Sequence, residues 1–482
     1  MPTTRSATAS RPETPPLPGR PSDLPSIFPS ILDTRTQHQR QPRPPVRRTR
    51  YRHRRGVDMS ESSNQSEGTS VIVIGAGIIG VNTALALQDR GHAVTLLDRR
   101  GVAEETSRGN AGAFAFTDVE PLASPGILLK APKWLLDPLG PLSLRPAHAL
   151  KMLPWARHFY VASRPRRHEA SISAQARLMT LSRAALERLI DRVKGEPLMR
   201  REGQLQVYEG EAEYQASLPA WELRRQHGIA FDLLESPEAI AEIQPGLASG
   251  FTHAGFTPDW MNTVDPKLWT EHLAACFRAA GGMIETNDVQ AMVQQGDAVV
   301  LETTAGLLRA DQVVVAAGAW SHHLARTLGD RIPLETERGY NTTFPTRTFD
   351  LRTHVTFSNH GFVVSKIGDG LRVGGAVELG GLELPPNYRR SEILVQKAVQ
   401  FLPGFDGTGG TEWMGFRPSM PDSLPAIGRS PRADRVTYAF GHGHLGLTQS
   451  AGTAEIVADI VTRQSPALDL APYDPLRFGG RP

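Results

Sequence analysis

Cysteine is almost missing from this sequence, which has only Cys276 in 482 residues. That scarcity excludes disulfide bonds within the chain and cysteine-ligated metal clusters, and it suits a reducing, cytoplasmic compartment. The sequence also lacks any apolar run of about 18 residues, so we expect no transmembrane helix. We find neither a P-loop nor a Ser-His-Asp order in the sequence. Since no residues have the spacing of metal ligands, the sequence offers no candidate metal site.

Lysine is absent from residues 1–58, although that stretch has a large excess of positive charge. It carries twelve Arg and four acidic residues, a net charge of +8, whereas the whole chain sums to +3. The other 424 residues therefore have a net charge of −5. A mildly acidic main part gives no reason to expect a nucleic-acid partner.

The N-terminal stretch 1–69 is low in complexity, with eleven Pro in its first fifty residues and an Arg cluster at 43–55. Its few apolar side chains cannot offset the ordering entropy of a fold. Three interpretations compete: a disordered tail, an Arg-rich targeting peptide, or an untranslated stretch before an initiator at Met59. We favour Met59 as the start, because only a short polar lead then precedes the first predicted strand.

The rest of the chain is organised around residues 70–100, where the pattern predicts a buried strand, a glycine turn, a helix and a second strand. The turn contains Gly75, Gly77 and Gly80, and the second strand ends at Asp98, 18 positions after the last glycine. In such a unit the glycines permit a tight turn, close approach to a pyrophosphate and close packing of helix on strand. The helix N-terminus would face the phosphates, and Asp98 would accept a hydrogen bond from a ribose hydroxyl. The pattern predicts a dinucleotide site.

A proline-rich segment at 115–160 interrupts the pattern that follows. Seven Pro among large apolar residues forbid a single long helix there. The segment could form a lid, a membrane-surface patch with Lys130 and Lys133 at its edge, or a folded insertion that packs on the core. We favour the folded insertion.

Four separated motifs together resemble the FAD-dependent D-amino acid dehydrogenases, a branch of the flavoprotein amine and amino-acid oxidoreductases. They are GAGIIG with Asp98, TSRGNAG at 106–112, VVVAAGAW at 313–320, and the closing pair WMGFRPSMPDSLPAIG at 413–428 and GHGHLGLTQSAGTAEIVADIV at 441–461. The likeness covers nearly all of residues 70–468. It implies FAD that is bound non-covalently, since Cys276 lies within a predicted helix far from these motifs.

The resemblance also implies the fold class, an α/β (α+β) protein. Its FAD-binding domain would be Rossmann-like and discontinuous in sequence, and its second domain would be built on an antiparallel sheet that covers the flavin. We divide the chain into a cofactor domain (70–195 with the insertion 115–160, 263–330 and 411–468), a substrate domain (196–262 and 331–410), the extension 1–69 and a C-terminal tail (469–482).

Matching the family's cofactor contacts residue by residue gives a predicted binding set. It comprises Gly75, Gly77, Ile78, Ile79, Gly80, Asp98, Arg99, Ser107, Asn110, Ala111, Gly112, Val289, Ala317, Gly318, Gly443, His444, Leu445, Gly446 and Thr448. The helix N-terminus after the last of these turns would stabilise negative charge on the reduced pyrimidine ring.

Three residues are predicted to act on the substrate. Arg417 stands between Gly415 and Pro418, and its planar fork of donors suits a substrate carboxylate better than lysine would. Tyr340 matches a tyrosine that lies over the substrate and can donate to the same carboxylate. His444, like His442, could orient substrate or flavin, and Tyr208 and Trp413 are weaker candidates for cavity walls.

The function implied is oxidative deamination of D-amino acids by hydride transfer from Cα to flavin N5. The imine product would hydrolyse to a 2-oxo acid and ammonia, and the electrons would pass to a non-oxygen acceptor such as a membrane quinone. A cyclic substrate such as D-proline or D-hydroxyproline fits the family, and peripheral contact with the inner face of the cytoplasmic membrane is a further expectation. The alternatives are an oxygen-using oxidase of the glycine or sarcosine kind, a nicotinamide-dependent dehydrogenase, and a non-catalytic FAD-binding module.

Overall fold

A computed structural model of the chain describes residues 69–127 and 142–479. The helices within them, α1–α9, are Ile78–Asp89, Leu153–Ala162, Pro165–Val193, Gly210–Gln226, Pro237–Ile243, Pro266–Ala279, Ser321–Thr327, Arg389–Phe401 and Gly446–Val461. The strands, β1–β21, are Ser70–Ile74, Ala93–Asp98, Ala113–Phe114, Leu142–Leu144, Met199–Arg200, Gln204–Glu209, Asp232–Leu234, Phe251–Thr257, Met261–Thr263, Met283–Thr286, Val289–Gln295, Ala298–Thr303, Gly306–Ala310, Gln312–Val315, Glu335–Phe344, His354–Phe357, Phe362–Ile367, Gly370–Leu379, Thr411–Ser419, Ala426–Arg429 and Val436–Phe440.

One sheet carries the predicted dinucleotide unit. Its six strands run in the order β10-β2-β1-β14-β21-β20, and all pair in parallel except β20, which is antiparallel to β21. The central strands β1 and β14 are almost wholly buried β-branched runs, as expected of a sheet covered on both faces. The carboxyl ends of β1, β2 and β14 therefore meet at one edge.

Helices α1, α3 and α9 form a layer over one face of this sheet. Leu85, Leu178 and Val457, one from each helix, belong to a single buried apolar cluster. The approach of α9 to α3 requires a small residue, because a Cβ at Gly452 would lie 2.4 Å from the Ser182 hydroxyl oxygen. This packing fixes the N-terminus of α9 beside the sheet edge.

A second sheet has nine strands in the order β19-β15-β18-β17-β16-β6-β8-β7, with β4 paired to β18. Its neighbours are antiparallel apart from the parallel pairs β16-β6 and β18-β4. One face packs on α8 through a cluster that includes Phe357, Phe362 and Phe401. The opposite face turns toward the parallel sheet, so the predicted mixed fold with an antiparallel second sheet is confirmed.

The predicted elements differ from the structure at two places that matter for the site. The sequence pattern predicts that residues 283–284 begin a meander of strands continuing to 310, but Met283–Thr286 joins the parallel sheet beside β2. Thr411–Ser419, which we assigned to the third cofactor segment, is an edge strand hydrogen-bonded to β15 of the antiparallel sheet. An edge strand tolerates Pro418, which has no backbone donor. The division into domains stays a prediction.

The insertion at 115–160 is described only in part. It contains β4 and α2, while Lys130 and Lys133 lie outside the described residues, as does the extension 1–68. In the part of the chain that the structure describes, no helix combines the length and the apolar character needed to cross a bilayer.

Candidate active site

A cavity of about 850 Å³ lies between the parallel sheet and the open face of the antiparallel sheet. Most of the predicted cofactor residues line it, together with Tyr340 and Arg417. Four do not: Gly80, Gly112, Leu445 and Thr448 lie behind the wall. The sequence motifs therefore converge on one space, although they are as far apart in the chain as Gly75 and Gly446.

The glycine turn after β1 has the geometry predicted for a pyrophosphate cradle. Gly75 has φ +109°, and a Cβ there would lie 2.4 Å from the Ala316 carbonyl oxygen. A Cβ on Gly80 would lie 1.8 Å from the Gly75 oxygen, so this glycine lets α1 pack against the turn. Gly77 lines the cavity, and a Cβ there would lie 3.1 Å from the Ser107 hydroxyl oxygen, which is a tight contact.

Asp98 serves the turn itself. Its Oδ2 accepts a hydrogen bond from the Ala76 amide at 2.8 Å, and its Oδ1 accepts from Arg100 and Gly101 at 2.7 and 2.9 Å. Because a carboxylate has about four lone-pair sites, one remains for the predicted ribose hydroxyl. The sequence identified Asp98 as a ligand but not as the residue that holds the glycine turn together.

Arg99 and Val289 mark the end of the cavity predicted for adenosine. The Arg99 guanidinium lies 3.8 Å from the centroid of the Trp320 ring and pairs with Glu105 at 2.6 Å. Val289 begins β11, and Ala317 with Gly318 follows β14, so all three lie at the strand ends nearest the turn.

The loop at 106–112 connects the two sheets. The Ser107 hydroxyl accepts from the Ile78 amide at 2.9 Å, which satisfies a free donor at the start of α1. Asn341 of β15 donates to the Gly109 carbonyl at 2.7 Å, and Arg372 of β18 donates to the Asn110 carbonyl. The predicted flavin loop is thus held by the antiparallel sheet that would cover the flavin.

The turn before α9 carries two histidines, His442 and His444. His442 is buried, with Nε2 3.0 Å from the Thr453 hydroxyl, and burial lowers the pKa of His442 to about 3. His444 is accessible inside the cavity, but the surrounding protein desolvates it and lowers the pKa of His444, with Arg417 acting in the same direction. Both imidazoles are therefore neutral near pH 7. The Thr448 hydroxyl accepts from the Ala115 amide at 2.9 Å, so it packs the wall instead of facing the cavity.

Arg417 lies on β19 with its guanidinium in the cavity wall. Its Nη1 donates to the Ala376 carbonyl at 3.1 Å, and among the described residues no carboxylate is within ion-pair distance of it. Desolvation lowers the pKa of Arg417, yet a guanidinium stays protonated in proteins. Gly339 makes room for it, because a Cβ there would lie 2.4 Å from Nη2.

Tyr340 borders the cavity, but its side chain lies on the face of β15 opposite Gly339 and Asn341, and its hydroxyl is already bonded. The hydroxyl donates to Glu378 at 2.9 Å and accepts from the Asn387 amide at 3.0 Å. Glu378 also pairs with the fully buried Arg338 at 3.2 Å. Desolvation raises the pKa of Tyr340, so the hydroxyl keeps its proton. Its predicted donation to a substrate carboxylate stays a prediction, and it would require the hydroxyl to leave Glu378.

Sequence reasoning missed one wall of the cavity, which is polar. It is formed by side chains at alternate positions of the antiparallel strands: Gln204, Gln206, His354, Thr356 and Arg372. The alternation of Gln204 and Gln206 along β6 was the available indication. Trp413 lies in the wall as predicted, whereas Tyr208 is buried in a cluster with Trp221, whose Nε1 donates to it at 2.7 Å.

The cavity fits FAD on the geometry of the described residues. The crowding at Gly75 and Gly77 leaves backbone, not side chains, facing the space at the N-terminus of α1. A family model described as FAD dependent oxidoreductase matches residues 70–460.

The chain belongs to this family.

This FAD-dependent oxidoreductase is 34% identical over 422 residues to a D-amino-acid oxidase of Bradyrhizobium diazoefficiens, covering 86% of the chain and 99% of the relative. It is 32% identical over 418 residues to a D-amino acid dehydrogenase of Vibrio cholerae, covering 85% and 98%. Glycine oxidase from Geobacillus kaustophilus has the same fold, with a TM-score of 0.67 at 23% identity over 84% of this chain and 98% of that one.

These relatives bear out the expectation of an FAD enzyme that oxidises an amino acid CH–NH₂ group. A second model, described as pyridine nucleotide-disulphide oxidoreductase, matches only residues 6–113 and so covers the glycine turn and the loop at 106–112 without the motifs that follow. That match reflects the dinucleotide unit that nicotinamide and flavin enzymes have in common.

Proposed function

We propose that this oxidoreductase is a D-amino acid dehydrogenase that passes its electrons to an acceptor other than oxygen. The observation that supports the proposal most directly is Arg417, a guanidinium in the cavity wall with no carboxylate partner among the described residues. Every amino acid carries a carboxylate, and a planar fork of donors matches one in two hydrogen bonds. The named activities of the relatives from Vibrio cholerae and Bradyrhizobium diazoefficiens point to the D series.

Arg417 would bind the substrate carboxylate and thereby decide which face of Cα is presented to the cofactor. Its single bond to the Ala376 carbonyl holds the guanidinium in place and leaves other donors free. The stereochemical preference would follow from the fixed position of the carboxylate.

His444 is suited to hold a proton beside the reacting amine. Since its imidazole is neutral, it can accept a proton from the substrate ammonium, which leaves the amine neutral. FAD, held by Gly75, Gly77 and the loop at 106–112, supplies the acceptor for the hydride that leaves Cα. The imine that results hydrolyses to a 2-oxo acid and ammonia.

The acceptor and the location are part of the same proposal. A membrane quinone would suit a cytoplasmic enzyme that touches the inner face of the membrane. Residues 145–167 contain six Arg or Lys and no acidic residue, and Leu150, Leu153 and Tyr160 are exposed there. Exposed apolar groups beside cations favour contact with anionic lipid headgroups.

An oxygen-using amino acid oxidase is the second candidate, because one relative at 34% identity is named an oxidase. The preferred side chain is open as well, with cyclic D-imino acids such as D-proline or D-hydroxyproline among the substrates to test. A non-catalytic FAD-binding protein would leave Arg417 without a use.

The test is anaerobic mixing of the flavin-loaded protein with a panel of D- and L-amino acids, followed by air. We expect D-amino acids to bleach the flavin within the mixing experiment and the reduced protein to reoxidise faster with a quinone than with oxygen. Rapid reoxidation that yields hydrogen peroxide would identify an oxidase instead. Absence of bleaching by every amino acid would overturn the proposal.

A further inference from the structure

The antiparallel sheet buries a second guanidinium in the cavity wall, at Arg372 on β18. Only 7% of this residue is exposed, and it lines the same cavity as Arg417. Its Nε donates to the Thr343 hydroxyl at 2.8 Å and its Nη1 donates to the Asn110 carbonyl. The mechanism described above gives this residue no part.

The charge of Arg372 is not neutralised by a bonded carboxylate. Among the described residues none lies within ion-pair distance, and its acceptors are a hydroxyl and a backbone carbonyl. The acid that acts on it from farther away is Asp265, whose Oδ1 accepts from Lys267 and Leu268 at the start of α6. That carboxylate is committed to capping the helix.

Arg338 shows how the same sheet treats a buried arginine that has only a structural task. Its side chain is fully buried and pairs with Glu378 at 3.2 Å, with further bonds to the carbonyls of Gly381 and Leu384. A buried cation without such a partner carries a large desolvation cost. Burial lowers the pKa of Arg372 to about 10, which still leaves it protonated at neutral pH.

The position of Arg372 tells which anion it could serve. Arg372 donates a hydrogen bond to the Asn110 carbonyl. The Nδ2 of Asn262, on β9, lies 3.5 Å from the carbonyl oxygen of the next residue, Ala111. Asn110 and Ala111 belong to the loop that carries the predicted flavin contacts. On β15, Arg372 pairs with Thr343 and Arg417 pairs with Glu337, so the two arginines are six residues apart along that strand. The two guanidiniums therefore serve different parts of the cavity.

We propose that Arg372 stabilises the negative charge that two-electron reduction leaves on the flavin ring, and so raises the reduction potential of the bound FAD. A fixed cation in a poorly solvated site favours an anion more strongly than it would in water. With Arg372 in place, reduction by two electrons takes up one proton and the ring keeps the remaining negative charge. Without it, the ring is expected to take up part of a second proton at neutral pH, because its anion has lost this stabilisation.

This inference rests on the FAD site of the proposed enzyme but needs no amino acid to test it. The holoenzyme is titrated with a chemical reductant and reference dyes at several pH values, which gives the reduction potential and the protons taken up. Arg372→Met removes the charge, Arg372→Gln removes it while keeping a donor for Asn110, and Arg372→Lys keeps it. Thr343→Val is the matched control, because it removes a bond from Arg372 and leaves the charge.

We expect Met and Gln at this position to lower the potential and to raise proton uptake above one at pH 7. Lysine should restore most of both properties, and the valine control should leave them unchanged. If the Met variant loses FAD, the Gln and Lys variants still separate charge from packing. Equal potentials in the Gln and Lys variants would overturn the inference, and they would leave the oxidation of D-amino acids untouched.

Discussion

Arg417 shows, at the scale of a single residue, how a binding site differs from a stable core. A desolvated cation with one backbone acceptor is an arrangement that costs folding free energy. The same sheet neutralises Arg338 with Glu378, so a counter-ion was available in principle. Glu337, opposite Arg417 on β15, acts on its charge without an ion pair, so the guanidinium keeps donors for a ligand that brings its own negative charge.

Replacing Arg417 by alanine is expected to raise KM by about two orders of magnitude, because a charge-assisted hydrogen-bonded pair contributes on the order of 3 kcal/mol. The flavin should remain bound, since no cofactor motif is altered. Steady-state kinetics with a D-amino acid and a dye acceptor measures the change. The control is Arg352→Ala, which removes an exposed arginine paired with Asp350. Wild-type KM in the first variant would remove Arg417 from the substrate site.

Gly77→Val should abolish FAD binding, because its side chain would occupy the cavity beside the Ser107 hydroxyl. The ratio of flavin to protein absorbance in the purified variant measures this loss. Gly250→Ala is a suitable control, since a Cβ there meets only the Glu209 carboxylate oxygen at 3.5 Å. Normal flavin content in the valine variant would show that the pyrophosphate lies elsewhere.

Single residues also show where the sequence stops being informative. The glycines of the turn could be predicted because their spacing is dictated by a close backbone approach that other residue types cannot make. Thr448 could not be placed, because whether a hydroxyl faces a cavity or the Ala115 amide depends on the rotation of α9 against β3. Arg372 was missed for a similar reason, since a buried arginine has no sequence pattern of its own.

Strand β19 is the element on which both halves of the site depend. Thr106 donates to its Phe416 carbonyl at 2.7 Å, and Gly443 donates to its Pro418 carbonyl at 2.7 Å. The strand also carries Trp413 against the flavin loop, where a Cβ on Gly109 would lie 2.3 Å from the indole. Because residues 412–428 are rich in Gly and Pro, their pattern does not predict this strand, whose pairing comes from β15 and not from local propensity.

Gly415→Ala is expected to displace Trp413, since the new Cβ would lie 1.9 Å from the indole ring. Overpacking of this kind costs about 1–3 kcal/mol, and the displaced ring would also disturb the loop at 106–112. Thermal unfolding and the dissociation constant of FAD should both change. Gly250→Ala again serves as the control. A variant with unchanged melting temperature and FAD affinity would show that Trp413 can repack freely.

Over the whole molecule, three buried histidines make stability depend on pH. Burial lowers the pKa of His322 and of His442 to about 3 and that of His354 to about 4, from an ordinary value of 6.5. The unfolded chain therefore binds more protons than the folded one below pH 6.5, and stability is lost as the pH falls through this range. Carboxylates with lowered pKa values act in the same direction, but at lower pH.

The free energy of unfolding should thus decrease from pH 6.5 to pH 5 with a slope approaching three protons. Denaturant unfolding at four or five pH values in that interval measures the slope. His442→Gln, which can keep a bond to Thr453, should reduce the slope by about one proton. A free energy of unfolding that stays constant over the interval would mean that these imidazoles are already protonated in the folded protein.

The fastening of β19 has a consequence for how the enzyme is loaded. Because the Phe416 and Pro418 carbonyls accept hydrogen bonds from Thr106 and Gly443, this strand joins the loop at 106–112 to the turn before α9. We therefore expect FAD to leave the cavity only when the strand that bears Arg417 loosens. A substrate bound to Arg417 should hold that strand in place, so the enzyme with substrate should release its flavin more slowly than the enzyme without it.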